Sequence, residues 1–150
     1  GAYTNGADII IGATGTNAAY LVLGPTSGEV SLSTAEASFE REASDDDGGR
    51  GVAFGDVNGD GAKDILVGGP SVRTSGESLY AAYAVFGPVS GAMSLSLADA
   101  RLFRAETHDD SGFTISAGDT DGDGADDILV GAPGGSLSPG AAYLVLGGGT

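Results

Sequence analysis

Two nine-residue segments, Asp56 to Asp64 (DVNGDGAKD) and Asp119 to Asp127 (DTDGDGADD), place oxygen-bearing side chains at positions 1, 3, 5 and 9 and glycine at position 6. Carboxylates spaced so closely oppose one another's ionisation unless a cation neutralises them. Calcium takes six to eight oxygen ligands at roughly 2.3 to 2.6 Å, and a short loop supplies them by turning its acidic side chains inward. The spacing therefore predicts two calcium ions per chain. The expected ligands are Asp56, Asn58, Asp60 and Asp64 with the carbonyl of Ala62, and Asp119, Asp121, Asp123 and Asp127 with the carbonyl of Ala125. A metal-free turn uses the same residue types, but two copies with one spacing favour the ion. Magnesium prefers a rigid octahedron and keeps most of its water, so calcium is the better fit.

The residues just after each loop separate it from the helix-flanked type. An EF-hand loop needs a carboxylate at position 12, and here the twelfth residues are Val67 and Val130. The runs Ile65-Leu66-Val67-Gly68-Gly69-Pro70 and Ile128-Leu129-Val130-Gly131-Ala132-Pro133 are apolar, β-branched and stopped by glycine and proline. They read as buried strands. Each loop thus bridges two strands.

Shifting the chain by 63 residues pairs Ala18-Ala19-Tyr20 with Ala81-Ala82-Tyr83, Gly24-Pro25 with Gly87-Pro88, Ser31-Leu32-Ser33 with Ser94-Leu95-Ser96, and Asp56 with Asp119. Partial copies stand at both ends: Asp8-Ile9-Ile10-Ile11-Gly12-Ala13 echoes the runs after the loops, and Ala141 to Gly147 echoes residues 18–24. A period of this size implies a supersecondary unit that stacks on its own copies. One period holds four predicted strands, Gly51 to Asp56, Asp64 to Gly69, Tyr80 to Gly87 and Ala100 to Ala105, which is the content of a propeller blade. Helical turns are expected only within Ser33 to Phe39 and Leu95 to Phe103. The 28 glycines suit the tight turns such blades need.

A strand ending in Gly-Asp, a DxDxDGxxD loop, DILVGAP and then GAAYLVLG resemble the FG-GAP repeats of integrin α-subunit propellers and related bacterial surface proteins. The Phe-Gly element departs from that pattern, being reversed at Gly112-Phe113 and lacking its aromatic at Gly49-Arg50. The resemblance implies an all-β fold, a partial β-propeller of about two and a half four-stranded antiparallel blades. It also implies calcium loops between the first and second strands, opposite the ligand-binding loops. The expected units are an incomplete blade over about 1–44, a complete blade over about 45–107 and an incomplete blade over about 108–150. Three, four and three strands cannot close a ring, so the chain is expected to form a homo-oligomer or to be part of a longer propeller.

Six basic against 21 acidic residues give a formal charge of −15, which two bound dications would reduce to −11. Nucleic acid and insertion into a membrane are therefore not expected. With no cysteine for disulfides, metal is the available staple, and calcium loops fill readily at extracellular concentrations. An extracellular or cell-surface setting is the resulting expectation.

His108 is the single histidine, and its repeat counterpart is Asp45, so it reads as an exposed loop residue. The pairs Asp46-Asp47 and Asp109-Asp110 recur at the repeat offset, either as solvated turns or as marks of a blade junction. No serine sits in a nucleophile elbow. The leading expectation is a non-enzymatic segment for adhesion or protein interaction, with a protein or glycan ligand. The alternative is an accessory or carbohydrate-binding propeller segment of a larger secreted enzyme. Tyr20, Tyr83 and Tyr143 share a repeat position on a strand and are expected to pack in the core rather than to form a sugar platform.

Overall fold

The computed structural model describes residues 7–15, 19–41, 48–74, 77–103, 114–133 and 139–148. His108, Asp45, both aspartate pairs and the expected unit limits near 44 and 107 lie outside the described residues. The strands are β1 (Ile9–Gly12), β2 (Ala19–Val22), β3 (Ala37–Glu40), β4 (Gly51–Gly55), β5 (Asp64–Thr74), β6 (Glu77–Val85), β7 (Gly91–Ser94), β8 (Ala100–Phe103), β9 (Thr114–Gly118), β10 (Asp127–Ala132) and β11 (Ala141–Val145). They form three open sheets in the orders β1-β2-β3-β7, β4-β5-β6-β8 and β11-β10-β9. The fold is the expected all-β, partial propeller. Among the described residues no helix is long and apolar enough to cross a membrane.

The apolar run of β5 shows how the sheets stack. Ile65, Leu66 and Val67 are all fully buried, although neighbouring residues of a strand point to opposite faces. Both faces of the middle sheet must therefore be covered. Ile65, Val67, Tyr83 and Val85 join Leu21 and Phe39 of the first sheet in one core, with Ile10 against it. Leu66 and Ala84 join Ile128 and Val130 of the third sheet in another, with Tyr143 alongside. The same cross-strand pair recurs in every sheet: Ile10 opposite Leu21, Leu66 opposite Ala84, Leu129 opposite Leu144. The first two pairs face the next sheet. The third faces outward, leaving Leu129 45% and Leu144 52% exposed.

β4 and β9 approach closely. A Cβ on Gly51 would stand 3.0 Å from the Ile115 nitrogen, and one on Gly55 2.6 Å from the Ala117 Cβ. Only glycine allows the two strands to lie this close.

The structure departs from the sequence-based expectation in three places. An eleventh strand, β7, leaves the middle repeat and pairs in parallel with β3 of the first sheet, from Ala37 opposite Gly91 to Glu40 opposite Ser94. The amino-terminal sheet thus has four strands rather than three. Second, Gly69-Pro70 does not end its strand: pairing between β5 and β6 shifts register between Gly68 and Ser71 and resumes to Thr74 opposite Glu77. Proline has no N–H for a ladder and is tolerated at such an irregularity. Third, the expected helical turns shrink to two 3-10 turns, Leu32–Thr34 and Leu95–Leu97, each begun by a serine hydroxyl (Ser31, Ser94) that accepts from the N–H two residues on.

Leu66→Ala is expected to cost about 2–5 kcal/mol, whereas Leu129→Ala, at the matching but exposed position, stays below about 1 kcal/mol. Urea unfolding of the two variants measures the contrast.

Candidate metal centres

Each acidic loop spans the gap between the first and second strands of a sheet, from Gly55 to Asp64 and from Gly118 to Asp127. The turn depends on glycine at two positions rather than one. Gly61 and Gly124 have φ of 85° and 95°, as position 6 requires, and Gly59 and Gly122 at position 4 are also left-handed, at 73° and 85°. This bend aims backbone N–H groups at the carboxylates. Asp56 accepts from the N–H of Asp60 at 3.0 Å and of Gly61 at 2.8 Å. Asp119 accepts from Gly122 at 2.6 Å and Gly124 at 3.1 Å. The fifth-position carboxylates, Asp60 and Asp123, accept from Ala62 at 2.7 Å and Ala125 at 2.8 Å.

The second loop brings Asp119, Asp121 and Asp123 together on the surface, with one carboxylate oxygen from each lying within 4.8 Å of the others. Three exposed anionic oxygens at this separation form a hard donor set and can hold a divalent metal ion. In the first loop Asn58 stands where Asp121 stands in the second. Its amide oxygen accepts from the Asp60 N–H at 2.9 Å, and its amide nitrogen donates to Asp60 Oδ2 at 2.9 Å. No third carboxylate joins Asp56 and Asp60 there as it does in the second loop.

The ninth-position aspartates sit deeper. Asp64 and Asp127 are the two buried charged residues among those described. Asp64 Oδ2 accepts from the Val57 N–H and Oδ1 from the Gly87 N–H, both at 2.9 Å. Asp127 repeats the arrangement with Thr120 and Gly147, each at 2.9 Å. Burial pushes the Asp64 carboxyl above its ordinary range, opposed by the N–H groups of Gly87, Val57 and Asn58. Asp127 goes the other way, held down first by the Thr120 hydroxyl, which donates to it, and then by the Gly147 N–H. Two things separate the pair: burial acts first on Asp64, and the Thr120 hydroxyl that acts first on Asp127 has no counterpart at Val57. Ionised Asp127 stabilises the fold at neutral pH, a contribution lost as pH falls through its lowered value. Ionising Asp64 costs stability as pH rises through its raised value.

An aspartate outside either loop holds the same position. Asp8 Oδ1 accepts from the Gly24 N–H at 2.9 Å, joining the start of β1 to the end of the strand beside it. The matching start of the three apolar runs, Asp8, Asp64 and Asp127, was the sequence signal for this bond. The role of Asp126, which contacts the first loop, had no such signal because Lys63 replaces it there.

The better-formed loop lies within a recognisable unit. Residues 111–145 match the FG-GAP repeat. The chain is also similar to phosphatidylinositol-glycan-specific phospholipase D of Mus musculus, 36% identical over 87 residues, and of Bos taurus, 35% identical over 86 residues. Each alignment covers 57% of this chain and 10% of the relative, so the chain spans about a tenth of the length of the curated relatives it matches. These matches correct the expectation that the protein stands apart from enzymes. The aligned stretch occurs within proteins named as phospholipases.

Asp64→Ala leaves the buried Val57 N–H and the half-buried Gly87 N–H without their acceptor and is expected to cost about 2–6 kcal/mol, at about 1–3 for each orphaned donor. Asp60→Ala, at the surface, should cost less than about 1 kcal/mol. Both are measured by urea unfolding in chelator, where metal plays no part.

Proposed function

We propose that this chain is a calcium-stabilised FG-GAP propeller segment that serves as an accessory module of a larger secreted, phospholipase-type enzyme. The observation that carries the metal half of this reading is the three-carboxylate cluster of Asp119, Asp121 and Asp123 inside the matched repeat. The all-oxygen donor set fits calcium. Asp127 and the Ala125 carbonyl complete the proposed second site. Asp56, Asn58, Asp60, Asp64 and the Ala62 carbonyl form the first, giving two ions per chain.

The similarity to two phospholipases D supports enzyme association over the adhesion reading. The outward pair Leu129 and Leu144 supports a further blade on that side, since its counterpart Leu66 and Ala84 is buried by the next sheet. Residues near 44 and 107 then mark the passage from blade to blade, and an extracellular setting supplies the calcium. The full-length gene product tests the association: a catalytic segment outside these 150 residues is expected, and a product composed of propeller repeats alone counts against it.

Calorimetric titration of chelator-stripped protein should give two calcium ions per chain. Calcium at 100 times its dissociation constant should add about 2.7 kcal/mol of stability per site, seen as a higher melting temperature. Asp60→Ala and Asp123→Ala should each abolish most of the increment at one site. A stoichiometry near zero, or preference for magnesium, contradicts the reading.

A further inference from the structure

The two loops touch. Asp56, the first residue of the first loop, donates its N–H to Asp126 Oδ2 at 2.8 Å and accepts the Asp126 N–H at its carbonyl at 2.7 Å. The partners are 70 residues apart in sequence, and Asp126 is the eighth residue of the second loop. Val57, next in the first loop, accepts from the Gly148 N–H at 3.1 Å. The contact has no slack: a Cβ on Gly147 would stand 2.3 Å from the Asp126 carbonyl oxygen and 2.9 Å from that of Val57.

From this geometry we infer that calcium binding at the two loops is positively cooperative, with the Ala125–Asp126 peptide and the Asp126 carboxylate as the coupling element. This rests on the calcium reading above. The Ala125 carbonyl, the backbone donor proposed for the second site, and the Asp126 N–H belong to one planar peptide unit. Fixing that carbonyl fixes the direction of the N–H that holds Asp56. Polarising it also strengthens the N–H as a donor, as happens along chains of hydrogen bonds. Asp56 in turn carries the first-position carboxylate of the other site, so a settled second loop presents the first with one ligand residue already placed. Thermodynamic linkage makes the effect reciprocal. The Lys63 that replaces Asp126 in the first loop brings no carboxylate, so the side-chain half of the coupling is specific to this junction.

The test is a calcium titration monitored by nitrogen-15 NMR, using the Gly61 and Gly124 amides as separate reporters of the two loops. Asp121→Ala, which removes a proposed ligand of the second site, should weaken calcium binding at the Gly61 reporter about five-fold or more, the scale of ordinary allosteric coupling. In an Asp126→Ala background, where only the main-chain bond to Asp56 remains, the effect of Asp121→Ala should shrink at least two-fold. Asp126→Asn keeps an oxygen for the Asp56 N–H and should retain the original coupling. First-loop affinity that does not respond to Asp121→Ala, with both reporters titrating in the unaltered chain and the Gly124 response weakened or lost in the variant, overturns the coupling alone. An absence of any calcium response at either reporter overturns the calcium reading with it.

Discussion

In each sheet an aspartate at the head of an apolar strand accepts the N–H of a glycine that ends the strand beside it. Asp8 holds Gly24, Asp64 holds Gly87 and Asp127 holds Gly147, all at 2.9 Å. In the two acidic loops the other oxygen of the same carboxylate secures the second loop residue. One side chain therefore fixes the hairpin, the start of the loop and the register between them. Unmade, these bonds would leave half-buried N–H groups unpaired, at a cost of up to a lost hydrogen bond each. Asp8 makes the same bond at the head of β1, so the clamp recurs in all three sheets.

Much of this architecture was legible in the sequence. β4, β6, β8 and both loops lie where alternation, turn glycines and the aspartate spacing placed them, because those signals are local. The features that escaped were set by partners distant in sequence. β7 is four residues long, begins at a glycine and exposes its first two positions, so only the neighbouring β3 makes it a strand. The extension of β5 past Pro70 depends on β6 supplying a shifted register. The loop carboxylates stood out by spacing, but the burial of Asp64 and Asp127 comes from the strand ends that enclose them.

The acidic loops and the apolar packing meet at the face between the middle and third sheets. Leu66 and Ala84 bury against Ile128 and Val130 there, and the two loops join at the rim of the same contact through Asp56 and Asp126. Apolar burial holds the sheets together without direction, while the rim bonds set how one lies on the other. The acidic loops thus lie where the seating of one sheet on the next is decided.

The parallel strand β7 has a consequence for how such chains can be divided. It is encoded in the second period of the sequence yet completes the sheet of the first, taking its ladder from Ala37 to Glu40 and an added bond from the Gly91 N–H to the Glu36 carbonyl at 2.7 Å. The unit that duplicates along the sequence is therefore not the unit that folds. A recombination point set between two periods would strip the first sheet of its outer strand and leave a row of main-chain groups bare. Exchange of a blade is better tolerated when the crossing segment travels with the sheet it covers, because the first and middle units fold as an interlaced pair.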